Sequence, residues 1–347
     1  MSFNEKDLVD LLNSSINKLG ENTNEIYRTS PHNNWIRHLE SSFSGQYINQ
    51  DWLICMDLLY MKEVNEHLSR YQKHQIYCHD NLPGSFIFAI NHYFKSKDIE
   101  YTWLLSSFCP QNSPSQNSLL QISQNRPLNM DTLHLKDRNP KNVLFGKLTI
   151  NSKGKNLDVW NSCDFTSSKT PKVLSELVLN TYYKVNLFVA NGGNYVSNVI
   201  RNEELNLKTI VNEFKLGYDI LQENGVMIIK LYTAFTPFMK SLMITFRRLF
   251  KECEIIKPFT STPIDSVHYF IGVNFIKSQI NIPDDIVSSM EWVNPTKEEQ
   301  AWLNTRIYNL TISQSSSIEK LLSGNLISIE KFPNILPLNP KDYISSQ

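Results

Sequence analysis

The chain has 347 residues, enough for one large domain or two small ones, and its 34 Lys plus Arg balance 34 Asp plus Glu. Zero net charge excludes a global basic field for nucleic acid, though not a local basic groove. The five cysteines, Cys55, Cys78, Cys109, Cys163 and Cys253, never form a Cys-x-x-Cys pair, which argues against a zinc site or a disulfide framework and fits a reducing compartment.

The first residues, MSFNEKDLVDLL, are acidic and amphipathic, unlike a signal peptide. No apolar run approaches the roughly 20 residues that span a bilayer, so the expectation is a soluble intracellular protein without a membrane partner. Leu8, Leu11, Leu12, Ile16 and Leu19 predict a helix over 5–19. Residues 20–47 are polar and read as loop. Helical spacing returns over 52–67 through Leu53, Met56, Leu59, Tyr60 and Val64. A first strand is expected at 76–80, then a turn at 81–85, a helix at 86–94 and a second strand at 101–108. Residues 109–145 are rich in Ser, Asn, Gln and Pro without a clear period, and loops of that length are usually functional or mobile. Another strand is expected within 157–165. A helix follows at 170–183 with Pro171 in its first turn, then a strand at 185–190 ending in Asn191-Gly192-Gly193, then a helix at 205–221.

The next stretch, Asn224-Gly225-Val226-Met227-Ile228-Ile229-Lys230-Leu231-Tyr232, organises the chain. A polar-Gly turn opens an apolar run suited to a strand covered on both faces, and one lysine stands where the run ends. Helix-period residues at 235–250 follow, completing half of a βαβ unit. Strands at 253–256 and 268–273 close the sheet. Over 280–347, with Pro283, Pro295, Pro333, Pro337 and Pro340, a short helix at 298–308 and a wrapping tail are expected. The pattern predicts a doubly wound, mostly parallel α/β sheet behind an N-terminal helical region (1–70, 71–280 and 281–347 as N-terminal region, domain and C-terminal extension).

In such sheets ligands sit beyond the carboxyl ends of the strands, which places Lys230 for chemistry, or alternatively as a strand-end lysine that snorkels to water. The Pro83-Gly84 turn before a helix suits a cofactor loop, or an ordinary βα turn. Asn191-Gly192-Gly193 similarly opens onto a cleft or simply turns. Asp164 either accepts a hydrogen bond from a ligand amine or caps the helix near Thr170. His79, His92 and His268 have no metal-ligand spacing, and neither a Gly-x-Ser-x-Gly nor a Walker loop is present. Lys136, Arg138, Lys141, Lys147, Lys153 and Lys155, interleaved with Phe145 and Trp160, line an RNA cleft or form a solvated loop. Arg247, Arg248 and Lys251 read as the solvent face of a helix.

Taken together, several pieces are more specific. Leu82-Pro83-Gly84-Ser85-Phe86 with Ala89-Ile90-Asn91-His92, Pro140-Lys141-Asn142-Val143-Leu144-Phe145-Gly146, Cys163-Asp164-Phe165-Thr166, Val189-Ala190-Asn191-Gly192-Gly193, Glu203-Glu204-Leu205-Asn206-Leu207, Ile228-Ile229-Lys230 with Phe235-Thr236-Pro237-Phe238, and Lys257-Pro258-Phe259-Thr260-Ser261-Thr262-Pro263 stand in the order of the FtsJ-like ribose 2′-O-methyltransferases. The chain resembles that family over roughly residues 50–275, above all the mRNA cap enzymes of eukaryotes and large cytoplasmic DNA viruses. The resemblance implies the Rossmann-like methyltransferase fold with a seven-stranded sheet, S-adenosylmethionine near Asp80, Pro83, Gly84, Ser85, Asp164 and Asn191, and capped RNA as substrate. It also implies a cytoplasmic setting, a viral factory or virion included.

The family uses a Lys-Asp-Lys-Glu tetrad in which a lysine of lowered pKa takes or steers the proton of the 2′-hydroxyl. Here the second lysine is kept as Lys230. The aspartate falls on Asn191, the glutamate on Val267 and the first lysine on Ile54, and Ser85 replaces a cofactor-loop glycine. Asn191 lacks a charge and Val267 lacks any acceptor, so Lys230 is expected to be an unbalanced cation, with Asp265 or His268 able to help only after a shift of strand alternation. Ser85 is expected to narrow the cofactor site. The reading is a catalytically degenerate methyltransferase that binds RNA or a protein partner in a capping or transcription complex. The alternatives are an active cap ribose 2′-O-methyltransferase with a rearranged site and an assembly protein using the fold as scaffold.

Overall fold

The computed structural model describes residues 5–19, 30–42, 48–80, 84–107, 141–144, 163–193, 199–283 and 286–324. A seven-stranded sheet runs through it in the order β3-β2-β1-β4-β5-β7-β6. The strands are β1 (Lys73–His79), β2 (Glu100–Ser106), β3 (Val143–Leu144), β4 (Val185–Ala190), β5 (Leu221–Leu231), β6 (Phe250–Ile256) and β7 (His268–Phe275). β3, β2, β1, β4 and β5 pair in parallel, whereas β7 lies antiparallel between β5 and β6. Near-continuous apolar runs such as Val226–Ile229 are buried because helices cover both faces of a parallel sheet.

Two apolar layers flank the sheet. One face carries α3 (Gln50–Tyr60), α4 (Lys62–Leu68) and α5 (Ser85–Ser96), with Trp52, Phe86 and Tyr93 buried in its core. The other carries α1 (Glu5–Leu19), α6 (Thr170–Tyr182), α7 (Val199–Ile220), α8 (Pro237–Arg248) and α9 (Lys297–Leu322), around Phe214, Phe238 and Phe246. No helix among the described residues is long and apolar enough to cross a membrane.

Several local expectations are corrected. Residues expected as loop include α2 (Pro31–Ser42), a helix with Pro at its first position and the Ser30 hydroxyl accepting from Asn33 N at 3.2 Å. The helix expected over 52–67 is two helices, broken at Met61, whose ψ of 137° leaves the helical region. The polar-Gly turn before Val226 lies inside β5: the register against β4 shifts between Val185 and Leu187, and Asn224 takes a left-handed φ of 60°. The short strand β3 was unforeseen. The C-terminal helix is 26 residues long, opened by a capping box between Thr296 and Glu299. Arg247 and Arg248 do not face solvent alone: they pair with Glu298 and Glu299 of α9 at 2.9 and 2.7 Å. Most of the strand expected over 157–165 lies outside the described residues, as do Pro83, Lys136, Arg138, Lys147, Lys153, Lys155, Phe145 and Trp160, while Lys141 is exposed.

Candidate functional site

Strand order reverses between β1 and β4, and their carboxyl ends deliver Asp80 and Asn191 side by side. Asn191 N donates to His79 O at 2.8 Å, which fixes the backbone across the gap. Its side-chain amide donates to Asp80 Oδ1 at 2.9 Å, and its carbonyl accepts from the Tyr269 hydroxyl at 2.9 Å. Asp80 Oδ2 accepts from Phe86 N at 2.9 Å in the first turn of α5. Burial dominates here and pushes the Asp80 carboxyl up to about 7, against the hydrogen bonds from Asn191 and Phe86.

A second buried network lies behind the turn. Glu213 of α7 accepts from Gly192 N at 3.2 Å and stands 3.7 Å from His79 Nε2. His79 Nδ1 meets the Ser106 hydroxyl at 2.9 Å, which meets Tyr77 at 2.6 Å. Burial raises Glu213 to about 8 and lowers His79 to about 4, so both are neutral at pH 7. Gly192 is required: a Cβ there would stand 2.3 Å from the Glu213 oxygen. Gly193 is required for a different reason, its φ of +94°.

Lys230, next to last in β5, lies opposite Tyr269 in β7, on the same sheet face as that ring. Its ammonium lies 5.4 Å from the centre of the Tyr232 ring. Burial works to lower the Lys230 pKa, but Tyr232, Asp51 and Asp265 outweigh it and the net shift is upward. Tyr232 is itself raised by burial and is uncharged at neutral pH, so the lasting counter-charge comes from the two carboxylates. Asp51, in the first turn of α3, is exposed. Asp265 is committed to Lys257, whose Nζ donates to its carboxylate at 2.7 Å and to Val267 O at 3.1 Å.

The comparisons bear on this geometry. The FtsJ-like methyltransferase family model matches residues 129–275. The chain is 30% identical over 244 residues to the probable methyltransferase EP424R of African swine fever virus (Warthog/Namibia isolate), covering 70% of this chain and 52% of that protein. It is 26% identical over 223 residues to cap-specific mRNA (nucleoside-2′-O-)-methyltransferase 2 of Drosophila melanogaster, covering 62% of this chain and 29% of that one. To cap-specific mRNA (nucleoside-2′-O-)-methyltransferase 1 of Dictyostelium discoideum it is 28% identical over 122 residues, covering 35% and 16%. The chain belongs to the FtsJ-like methyltransferase family. It spans about half the length, or less, of these curated relatives.

The positions that the sequence reading assigns to the tetrad have distinct surroundings. Ile54 is buried in the core under α3. Val267 is half-buried, and its own backbone, not its side chain, makes the polar contacts: N to Asp265 at 3.0 Å and O from Lys257. At Lys230 the lowering by burial is opposed by Asp51 and Asp265. His268 gives no charge: burial takes it down to about 3, and Nδ1 donates to Tyr232 O at 3.1 Å.

The family implies S-adenosylmethionine, and the residues around Gly84 fit its frame. Gly84 adopts φ 87° and ψ 38° as the residue before α5, so backbone can approach a ligand closely. The Ser85 hydroxyl accepts from Nδ2 of Asn49, the residue that caps α3, at 2.8 Å. Asp164 neither caps α6 with its side chain nor lies deep: Oδ1 accepts from Thr166 N at 2.9 Å and from its hydroxyl at 2.6 Å. Sequence reasoning missed Asp51, Tyr269 and Glu213. Their one signal is the residue type, a charged or hydroxylated side chain inside an apolar helix or strand, and three distant segments must meet before it carries meaning.

Proposed function

We propose that this chain is a non-catalytic member of the cap 2′-O-methyltransferase branch, acting as an RNA- or partner-binding subunit of a capping or transcription machinery. Its setting would be the cytoplasm, a viral factory or a virion. One observation carries the reading: Asn191, in the place of the family's aspartate, is bonded at both ends of its amide, to Asp80 and Tyr269, and has no charge to pair with Lys230. A 2′-hydroxyl must lose its proton as it attacks, and general-base help needs a group ready to receive it. Against the lowering by burial, Asp51 and Asp265 favour the protonated form of Lys230. Residues 71–280 would form the methyltransferase-like domain between the helical N-terminal region and the C-terminal extension.

S-adenosylmethionine would lie against Gly84 and Ser85, with Asp80, Asn191 and Asp164 at its edge, and when bound it supplies a methyl on a sulfonium. This chain's residues would orient it without drawing a proton from an acceptor. An active enzyme with a rearranged site is the second reading, favoured by the electrostatic reach of Asp51 and Asp265 to Lys230.

Transfer of a labelled methyl group from S-adenosylmethionine to capped RNA decides between them. Wild-type protein, folded by circular dichroism, is expected to incorporate no label, and Lys230→Ala likewise. Incorporation at the first 2′-hydroxyl that Lys230→Ala abolishes would overturn the non-catalytic reading.

A further inference from the structure

Beneath α9 lies a pocket on the sheet face that also carries α1. Leu12 of α1, Leu231 of β5, Ile255 of β6 and Ile307 and Leu310 of α9 give it apolar walls. Side chains alternate across a strand, so this pocket and Lys230 lie on opposite faces of β5. With its open mouth the pocket encloses about 390 Å³, room for a molecule of a few heavy atoms and not for a nucleotide.

Two polar side chains reach it from different elements. His268 opens β7 and Gln314 sits in α9, and they are 4% and 1% exposed. His268 stays neutral, and its Nδ1 donates to Tyr232 O, which leaves Nε2 as an acceptor. Gln314 spends its amide protons on Ile264 O and Ser266 Oγ, which leaves Oε1 as an acceptor. Among the described residues neither His268 Nε2 nor Gln314 Oε1 has a hydrogen-bond partner. The threonine hydroxyls at the pocket are already given away, Thr311 to Ile307 O at 2.7 Å and Thr233 to Glu203 at 2.5 Å. A buried acceptor without a donor is costly, and two beside apolar walls are completed by a ligand that brings the donor.

The chemistry narrows the occupant. No lining residue carries a charge, so a phosphate, carboxylate or ammonium would lose its hydration without a partner. A plain hydrocarbon would leave both acceptors unmet. Water would meet them but leave the apolar walls unfilled. We infer that the pocket takes a small uncharged molecule, apolar over most of its surface, whose single hydroxyl donates to His268 Nε2 or Gln314 Oε1. The same imidazole holds the Tyr232 carbonyl, so an occupant touches the strand that carries Lys230. The inference stands whether or not Lys230 is catalytic.

The test is nitrogen NMR of the full chain labelled with ¹⁵N-histidine at pH 7, titrated with phenol and, separately, with toluene. The two probes share their shape and differ in the hydroxyl. Phenol is expected to move the His268 Nε2 resonance upfield and saturably, because that nitrogen gains a donor, while toluene leaves it in place. The resonance is assigned by its absence in His268→Gln. Thr311→Leu fills the pocket and gives up only a hydroxyl bonded within α9, and Leu310→Phe does the same from a half-buried position. Either variant should weaken phenol roughly tenfold or more, the scale of one lost hydrogen bond with its packing, and should mark the responding nitrogen as the pocket's if His268→Gln does not fold. No saturable shift with phenol in folded wild type would overturn the inference and leave a water site only. A response that survives in both filled variants would place phenol elsewhere and overturn it too. An equal shift with toluene would show apolar filling without the hydrogen bond, against the proposal.

Discussion

Asn191 shows how one atom changes what a site can do. An aspartate there would face Asp80, whose carboxyl burial has already pushed up to about 7. The amide instead gives Asp80 a donor at 2.9 Å and needs no counter-charge. Asn191→Asp would place two carboxyl groups within hydrogen-bonding distance, and such a pair is tolerable only while it shares a proton. We expect that variant to match wild type in urea denaturation near pH 6. By pH 8 it should be weaker by ~2 kcal/mol, as an unpaired buried charge remains. Equal stability of the two proteins at pH 8 would mean that Lys230 or solvent neutralises the second carboxylate.

At the scale of elements, α9 does more than extend the chain. Gln314 donates to Ile264 O at 2.9 Å and Ser266 Oγ at 3.2 Å, on the loop that leads to Val267. Ser315 meets Ser15 of α1 at 2.7 Å, and Arg306 bridges to Glu254 of β6 at 2.6 Å. Magnitudes separate these contacts. The Arg306–Glu254 pair has side chains 30% and 46% exposed, so water and salt screen it and Arg306→Ala should cost under ~1 kcal/mol. Gln314 is buried, and Gln314→Ala leaves acceptors in the interior without their donor, a loss of ~2 kcal/mol. Thermal melts of the two variants should therefore differ clearly, with Gln314→Ala the lower; the reverse order would show that the surface pair, not the buried amide, fastens α9.

For the whole molecule, buried titratable groups set the pH response. Asp57, Asp80 and Glu213 keep their protons in the fold up to about 7, about 7 and about 8. The unfolded chain loses those protons near pH 4, so each group costs stability as pH rises between the two values, at ~1.4 kcal/mol per unit. His79 and His268 act the other way: pushed down to about 4 and about 3, they refuse protons that the unfolded chain accepts below ~6.5. The trends oppose each other below pH 6.5, and only the carboxyls act above it. With three carboxyls against two histidines the balance already falls gently as pH rises towards ~6.5, and above that the carboxyls alone should lower stability by on the order of 3 kcal/mol by pH 8. Glu213→Gln should flatten the last part of that fall, read from melting temperature across pH 5 to 9.

Much of the fold was legible from the chain alone, because a parallel sheet covered on both faces writes itself as runs such as Val226–Ile229 and Val185–Ala190, and Lys230 stood out as the polar end of one. The resemblance to the FtsJ-like family was likewise readable from its pieces. What the sequence could not carry is polar burial. α9 beyond Tyr308 buries Thr311, Gln314 and Ser315, and α2 buries His32, residues that count as surface in any periodicity. Only the tertiary structure brought Asp51, Tyr269 and Asp265 towards Lys230 and closed Asn191 between Asp80 and Tyr269. Side-chain type sets which protons a group holds in water; burial and neighbours, which exist only in the fold, set which it holds in the cleft.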